Sequence, residues 1–397
     1  MPNFRTLDQA DVNNKRVLLR VDLNVPMENG KVTDATRIAR VVPTIVEIAD
    51  RGGKVILLSH FGRPKGPDPK ESLKPIAAEV ARIIGRKVGF ADDCIGAKTE
   101  AMVAAMKPGD ILCLENTRFH NGEEESNPEF VAALAKLGDL WVSDAFSVSH
   151  RAHASTEGLG HSLPAYAGRT MQAELDALRK ALEAPQRPVA AIVGGAKVST
   201  KLALLGNLVA KVNVLIIGGG MANTFLFALD KPVGASLCER GLAATARDIL
   251  SKAKSIGCEI VLPVDAVVAK KFEANAPSRA VAIDGVGGDD MILDIGPRSI
   301  EHVISVLARV KTLVWNGPFG AFEFEPFDTG TIEVAEAAAE LTEGRKLVSV
   351  AGGGDTVAAL NAAGVTGRLT YVSTAGGAFL EWMEGRALPG VEVLRQK

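Results

Sequence analysis

A chain of 397 residues with 47% hydrophobic residues and 40 glycines is too long for one ordinary core and too apolar for a disordered polymer. It reads as a globular protein of two domains rich in tight turns. Its formal net charge of -2 gives no general reason to expect nucleic acid or an anionic membrane as partner.

Apolar strand-like runs alternate with amphipathic helical stretches, the rhythm of a parallel α/β protein. In the first half the expected strands are Val17–Val21, Val55–Leu58, Val88–Phe90, Ile111–Leu114 and Leu140–Val142, with helices at Ala35–Ala49 and Leu73–Ile84. Met171–Glu183 has clean helical periodicity, ends before Pro185, and reads as a connector. In the second half strands are expected at Val189–Val193, Val214–Ile217, Glu259–Leu262, Leu313–Trp315, Leu347–Val350 and Leu369–Val372. The expected domains are residues 1–170, a connector at 171–185, residues 186–376, and a helix and tail at 377–397 that pack back on the first domain. Cys94, Cys113, Cys238 and Cys258 lie far apart without a Cys-x-x-Cys pair, which points to buried thiols in a reducing compartment. The start lacks an apolar signal core and no apolar run is long enough to span a bilayer, so the cytoplasm is the expected location.

The residues just beyond the strands differ in chemistry between the halves. In the first half the strand ends carry polar and basic groups: Asp22 and Asn24, His60 and Arg63, Asn116 and Arg118, then Asp144 with His150, Arg151 and His153. In the second half they carry glycine: Gly194-Gly195, Gly218 to Gly220, Gly317, Gly352 to Gly354 and Gly376-Gly377. In an open parallel sheet, ligands bind beyond the carboxyl ends of the strands. Guanidinium forks at one such edge, from Arg37, Arg63, Arg118 and Arg151, suit a small multiply charged metabolite. Bare peptide amides at the other suit a polyphosphate.

Lys197 and Lys201, four residues apart after the Gly194-Gly195 turn, are expected to share one face of a helix start. Their spacing is not that of a P-loop. Asp355 behind the triple glycine is either a helix N-cap or a magnesium ligand, and the entropic cost of three glycines favours close approach to a metal-bound nucleotide. Glu323 is either a ribose acceptor or a solvated loop carboxylate. His150 and His153, three apart, have no third ligand at helix spacing, so substrate contact or packing is favoured over zinc. Glu123, Glu124 and Glu125 read as a solvated loop, and Ser147 to Ser149 as a stretch without a role.

Taken together, Arg20-Val-Asp-Leu-Asn-Val-Pro26, Ser59-His-Phe-Gly-Arg-Pro64, Leu114-Glu-Asn-Thr-Arg-Phe119, the stretch from Asp144 to Gly158, Gly194-Gly-Ala-Lys-Val-Ser-Thr-Lys201, Val314-Trp-Asn-Gly-Pro-Phe-Gly320 and Gly352-Gly-Gly-Asp-Thr356 resemble the phosphoglycerate kinase family in order along nearly the whole chain. The resemblance implies two Rossmann-like parallel-sheet domains joined by a helical hinge, closing on their substrates, in a cytoplasmic monomer. It implies reversible phosphoryl transfer from 1,3-bisphosphoglycerate to Mg-ADP, with Mg²⁺ entering as the nucleotide complex and no nucleic acid or membrane partner. Phosphoglycerate would be held by Asp22, Asn24, Arg37, His60, Arg63, Arg118 and Arg151. The nucleotide would be held by Gly195, Lys201, Gly219, Asn316, Glu323, Gly353, Gly354, Asp355 and Thr356, with Asp355 on Mg²⁺. Arg37 and Lys197, with the amides of Gly352 and Gly376, would stabilise the phosphoryl group in flight. Ala375 stands where the family more often has glycine, and would be strained if that position needs positive φ. The rival readings are a carboxylate kinase of the acetate or carbamate type, and a nucleotide-binding regulator without chemistry.

Overall fold

A computed structural model describes residues 4–395 of the chain; residues 1–3 and 396–397, at the outer limits of the expected domains, lie outside it. The contacts divide the chain into two compact units, 1–176 with 387–397, and 177–386.

The first unit contains a six-stranded parallel sheet of β1 (Arg16–Arg20), β2 (Lys54–Leu58), β3 (Val88–Ala91), β4 (Ile111–Leu114), β5 (Leu140–Ser143) and β6 (Ala165–Ala167), in the order β3-β4-β2-β1-β5-β6. Val17, Leu18 and Leu19 are wholly buried, as expected of a strand covered on both faces. The helix α1 (Thr36–Asp50) follows β1 and buries Ile38, Val41, Ile45 and Ile48, a stripe at helical spacing that closes one side of the core.

The second unit contains another six-stranded parallel sheet. Its strands are β7 (Val189–Val193), β8 (Val214–Ile217), β9 (Glu259–Val261), β13 (Thr312–Asn316), β14 (Val348–Gly352) and β15 (Tyr371–Ser373), ordered β9-β8-β7-β13-β14-β15. Between β9 and β13 the chain builds a three-stranded antiparallel sheet, with β10 (Asp265–Ala269) flanked by β11 (Ser278–Ala282) and β12 (Met291–Ile295). The sequence reading missed this sheet. Four of the five β11 residues are exposed, so that strand is little covered, whereas β10 and β12 carry apolar runs that the sequence reading passed over.

Every strand of the sequence reading is present, within two residues at each boundary. The connector is α-helical over Arg169–Leu178 and π-helical over Arg179–Glu183, and the division of units falls inside it. At its start the Met171 N–H donates to the buried Asp144 carboxylate at 2.9 Å, so Asp144 holds a helix start. The last helix of the second unit, Gly376–Met383, stays with that unit, because the Asn207 side-chain amide donates to the Met383 carbonyl at 2.5 Å. The returning segment therefore begins at Ala387, later than the 377 boundary read from the sequence. Its Leu394 carbonyl accepts from the Arg5 N–H at 2.9 Å.

Candidate functional site

In the first unit the order of β2, β1 and β5 places the chain ends after these strands along one edge. Asp22, just past β1, is the hub. Its carboxylate accepts from Arg37 Nη1 at 3.1 Å, Ser147 Oγ at 2.6 Å and the Asn24 N–H at 3.0 Å. Arg37 also donates to the Asn24 carbonyl at 2.8 Å. Asn24 Oδ1 accepts the Gly62 N–H at 3.0 Å, and Arg118 donates to the Gly62 carbonyl at 2.7 Å. These bonds bring Asp22, Asn24, Arg37 and Arg118 together around the loop that carries His60 and Arg63. Arg63 is exposed and Arg151 half-buried. Ser147, read from the sequence as having no role, is a partner of the hub.

Beneath this edge lies a wholly buried network that the sequence reading did not find. Arg20 is 1% exposed. Its Nε donates to Ser155 Oγ at 2.9 Å, one Nη donates to the Val21 carbonyl, and the other lies 3.1 Å from His60 Nδ1. Ser155 donates in turn to Glu123, through Oγ at 2.5 Å and N–H at 3.0 Å. Glu123 is 0% exposed, which overturns its reading as part of a solvated loop. Its burial answers that of Arg20, since an isolated buried guanidinium costs several kcal/mol. The signal was available in sequence: an arginine in the apolar run Val17–Val21 needs a partner.

The electrostatics of this edge are positive. Burial, then the charges of Arg20, Arg118 and Arg151, pushes His60 well below its ordinary value. Burial and Arg118 push His153 down to about 4. Burial lowers Arg118 too, with Glu124 opposing at 3.0 Å. The edge therefore presents fixed cations beside neutral imidazoles.

In the second unit the strand order reverses between β7 and β13, the crevice where open α/β sheets bind ligands. Lys201 spans that crevice, its ammonium donating to the Gly194 carbonyl at 2.6 Å and to Asn316 Oδ1 at 2.7 Å. Asn316 donates to the Gly352 carbonyl at 2.8 Å, and Thr356 Oγ1 accepts the Gly317 N–H at 2.7 Å. Lys201, Asn316 and Thr356 thus tie the glycine turns after β7, β13 and β14 into one surface. Burial, partly opposed by Asp355, pushes the Lys201 ammonium down to about 8.

The glycines have steric reasons. A Cβ on Gly194 would lie 1.9 Å from the Pro318 carbonyl oxygen. Gly353, at φ 103°, would place one 2.6 Å from Asn316 Nδ2. Gly354 and Gly376 open helices, whose first N–H groups have no intrahelical partner, and an added Cβ at either would meet no atom within 4 Å. Ala375 sits at φ -94°, a conformation open to any L-residue, so the strain conditional on positive φ does not arise.

Lys197 is exposed, and its segment is a turn: helix Leu202–Val209 begins only after Lys201. The two lysines do not share a helix face. Ser199 is instead held to Glu239, through Oγ at 2.5 Å and N–H at 2.9 Å, which fixes the turn before helix can start. Asp355 lies exposed in the first turn of the helix after Gly353, so it follows the N-cap rather than being it.

Beside this surface is a cavity of about 370 Å³ lined by Gly195, Gly219, Glu323 and Asp355 on one part, and by Leu237, Phe272, Met291 and Leu293 on another. It has room for an apolar ring system joined to a charged tail. Asp294 also lines it. Burial pushes that carboxyl up to about 8, although the N–H groups of Gly330 and Ile295 donate to it.

Two units that each expose a phosphate-suited edge at the carboxyl ends of a parallel sheet define a protein of the two-domain α/β phosphotransferase class. The profile described as "Phosphoglycerate kinase" matches residues 7–386, and this chain belongs to that family. It is 67% identical to the phosphoglycerate kinase of Bradyrhizobium diazoefficiens and 68% identical to that of Rhodopseudomonas palustris, with 99% of each chain covered in both cases. Among solved structures it resembles the phosphoglycerate kinase of Coxiella burnetii, with TM-score 0.92 and 42% identity. It also resembles that of Pyrococcus horikoshii OT3, with TM-score 0.80 and 30% identity; 98% of each chain is covered in both comparisons.

Proposed function

We propose that the protein transfers a phosphoryl group reversibly between the acyl phosphate of 1,3-bisphosphoglycerate and Mg-ADP, giving 3-phosphoglycerate and ATP. The observation that carries this reading is the division of ligand chemistry. One unit offers guanidinium and imidazole groups, the other peptide amides, a buried lysine and an apolar cavity.

On the first unit, Arg63, Arg118 and Arg151 bind the carboxylate and phosphate of phosphoglycerate, Asp22 and Asn24 hold its hydroxyl side, and neutral His60 donates one hydrogen bond. On the second, Lys201 and the Gly353–Thr356 turn hold the nucleotide phosphates, with Gly195, Gly219 and Asn316 shaping their bed. Leu237 and Phe272 face the base, Glu323 accepts from ribose, and exposed Asp355 holds the Mg²⁺ that arrives with the nucleotide. An acyl phosphate already has a good leaving group, so no general base or covalent nucleophile is required. Catalysis is alignment and charge neutralisation around a loose, metaphosphate-like transition state. Lys197 and Arg37, with the amides of Gly352 and Gly376, supply the positive surroundings.

In-line transfer needs the two substrates side by side with water excluded, so the reading includes closure about the Arg169–Glu183 connector. It also includes a monomer of the cytoplasm, in keeping with four free cysteines. Among the described residues no helix is long and apolar enough to cross a membrane.

The test is ATP formation from Mg-ADP with 1,3-bisphosphoglycerate, with acetyl phosphate and carbamoyl phosphate run in parallel. ATP from the first donor alone supports the reading. Comparable rates with acetyl or carbamoyl phosphate would replace it with a less selective carboxylate kinase.

A further inference from the structure

In the first unit the loops following the edge pair β3 and β4 bring three different ligand types together. β3 and β4 run parallel in register, Val88 beside Ile111 and Ala91 beside Leu114, so the chain emerges from both at the same edge. The first loop carries Asp93 and Cys94, the second His120. A carboxylate oxygen of Asp93, the Cys94 sulfur and a ring nitrogen of His120 lie within 4.8 Å of one another. His120 Nε2 is 2.7 Å from Asp93 Oδ1, and its ring stacks on Phe130 with centroids 5.2 Å apart. The imidazole is thereby already turned toward the other two groups.

We propose that Asp93, Cys94 and His120 form a binding site for a divalent transition-metal ion of the zinc type. Sulfur, imidazole and carboxylate in one set suit a borderline ion in tetrahedral geometry, with water as the fourth ligand. They do not suit Mg²⁺, which prefers oxygen in octahedral array, so the metal carried by the nucleotide is not a competitor. Asp93 and His120 open onto a cavity of about 510 Å³ also bordered by Asp68, Asp92, Glu115 and Lys74; Lys74 is paired with Asp92 at 3.6 Å, and the other carboxylates leave the lining net acidic. Glu115 is itself fixed, accepting from Ser72 Oγ at 2.6 Å and the Leu73 N–H at 2.8 Å. On binding, the Asp93–His120 hydrogen bond gives way to one bond from each group to the ion. Cys94 is fully buried, and binding replaces its sulfur proton with the ion. A bound ion would tie the loop after β3 to the loop that carries Arg118.

The probe is Co²⁺, added to the full-length protein after dialysis against a chelator. The site predicts one equivalent bound, tetrahedral d–d bands, and a thiolate-to-cobalt charge-transfer band that Zn²⁺ bleaches. In His120→Gln and Cys94→Ser the charge-transfer band should fall at least ~10-fold, while ATP formation with Mg-ADP stays within ~3-fold of the parent, showing that both variants are folded. His120 is half-exposed, so its variant remains informative should Cys94→Ser fold poorly. Absence of the charge-transfer band in the parent at excess Co²⁺, or an undiminished band in His120→Gln, would overturn the proposal.

Discussion

Arg20 Nη2 stands 3.1 Å from His60 Nδ1 in the interior of the first unit. A guanidinium has only hydrogen-bond donors, so Nδ1 must accept, and the proton of the neutral ring must sit on Nε2. One buried cation thus sets the tautomer of a histidine assigned to the substrate.

The pH dependence has a definite sign. His60 is held well below 6.5, and His153 is pushed down from 6.5 to about 4. Each takes up its proton more readily in the unfolded chain. Their contribution to stability is present above pH 6.5 and is lost as the pH falls towards the folded values. Nitrogen-15 chemical shifts of the histidine rings should show His60 still as the neutral Nε2–H tautomer well below pH 6.5. A His60 that titrates near 6.5 would remove both the tautomer assignment and its cause.

Lys197 is exposed on the turn before the helix, and the proposed function gives it the phosphoryl group in flight rather than a part in holding the fold. Lys197→Ala should lower kcat by at least ~10²-fold, the usual scale for one lost transition-state contact, with the melting temperature unchanged. Rapid-quench single-turnover kinetics check this, and near-normal turnover would strip Lys197 of its role.

Adjacent glycines should behave differently. Gly353→Ala forces a Cβ to within 2.6 Å of Asn316 Nδ2 at φ 103°, and should cost on the order of 1–3 kcal/mol. Gly354→Ala meets nothing within 4 Å and should change stability by less than ~1 kcal/mol. Urea unfolding of the pair measures the difference; equal losses would mean that the bed around Asn316 is less rigid than described.

Much of the fold is legible in the chain itself, for particular reasons. Strands such as Ile111–Leu114 and Val189–Val193 are continuous apolar runs bounded by carboxylates, proline or glycine, and burial on both faces leaves such runs little choice. The glycine turns are legible because three glycines before Asp355 are costly unless backbone must approach something. The Lys197–Lys201 helix face is misread because Glu239, forty residues away, holds Ser199 in a turn. Glu123 is misread because its partners Arg20 and Ser155 are remote in sequence. Local charge runs report solvation only when nothing distant claims one of their members.

The most direct test of the division of labour between the two units is calorimetry on two variants with two ligands. Arg151→Ala should weaken 3-phosphoglycerate binding by at least ~10-fold, and Lys201→Ala should weaken Mg-ADP binding by at least ~10-fold, each the scale of one charged hydrogen bond. Each variant should leave the other binary complex within ~2-fold of the parent. A variant that weakens both ligands alike, or the two effects exchanged, would contradict the account.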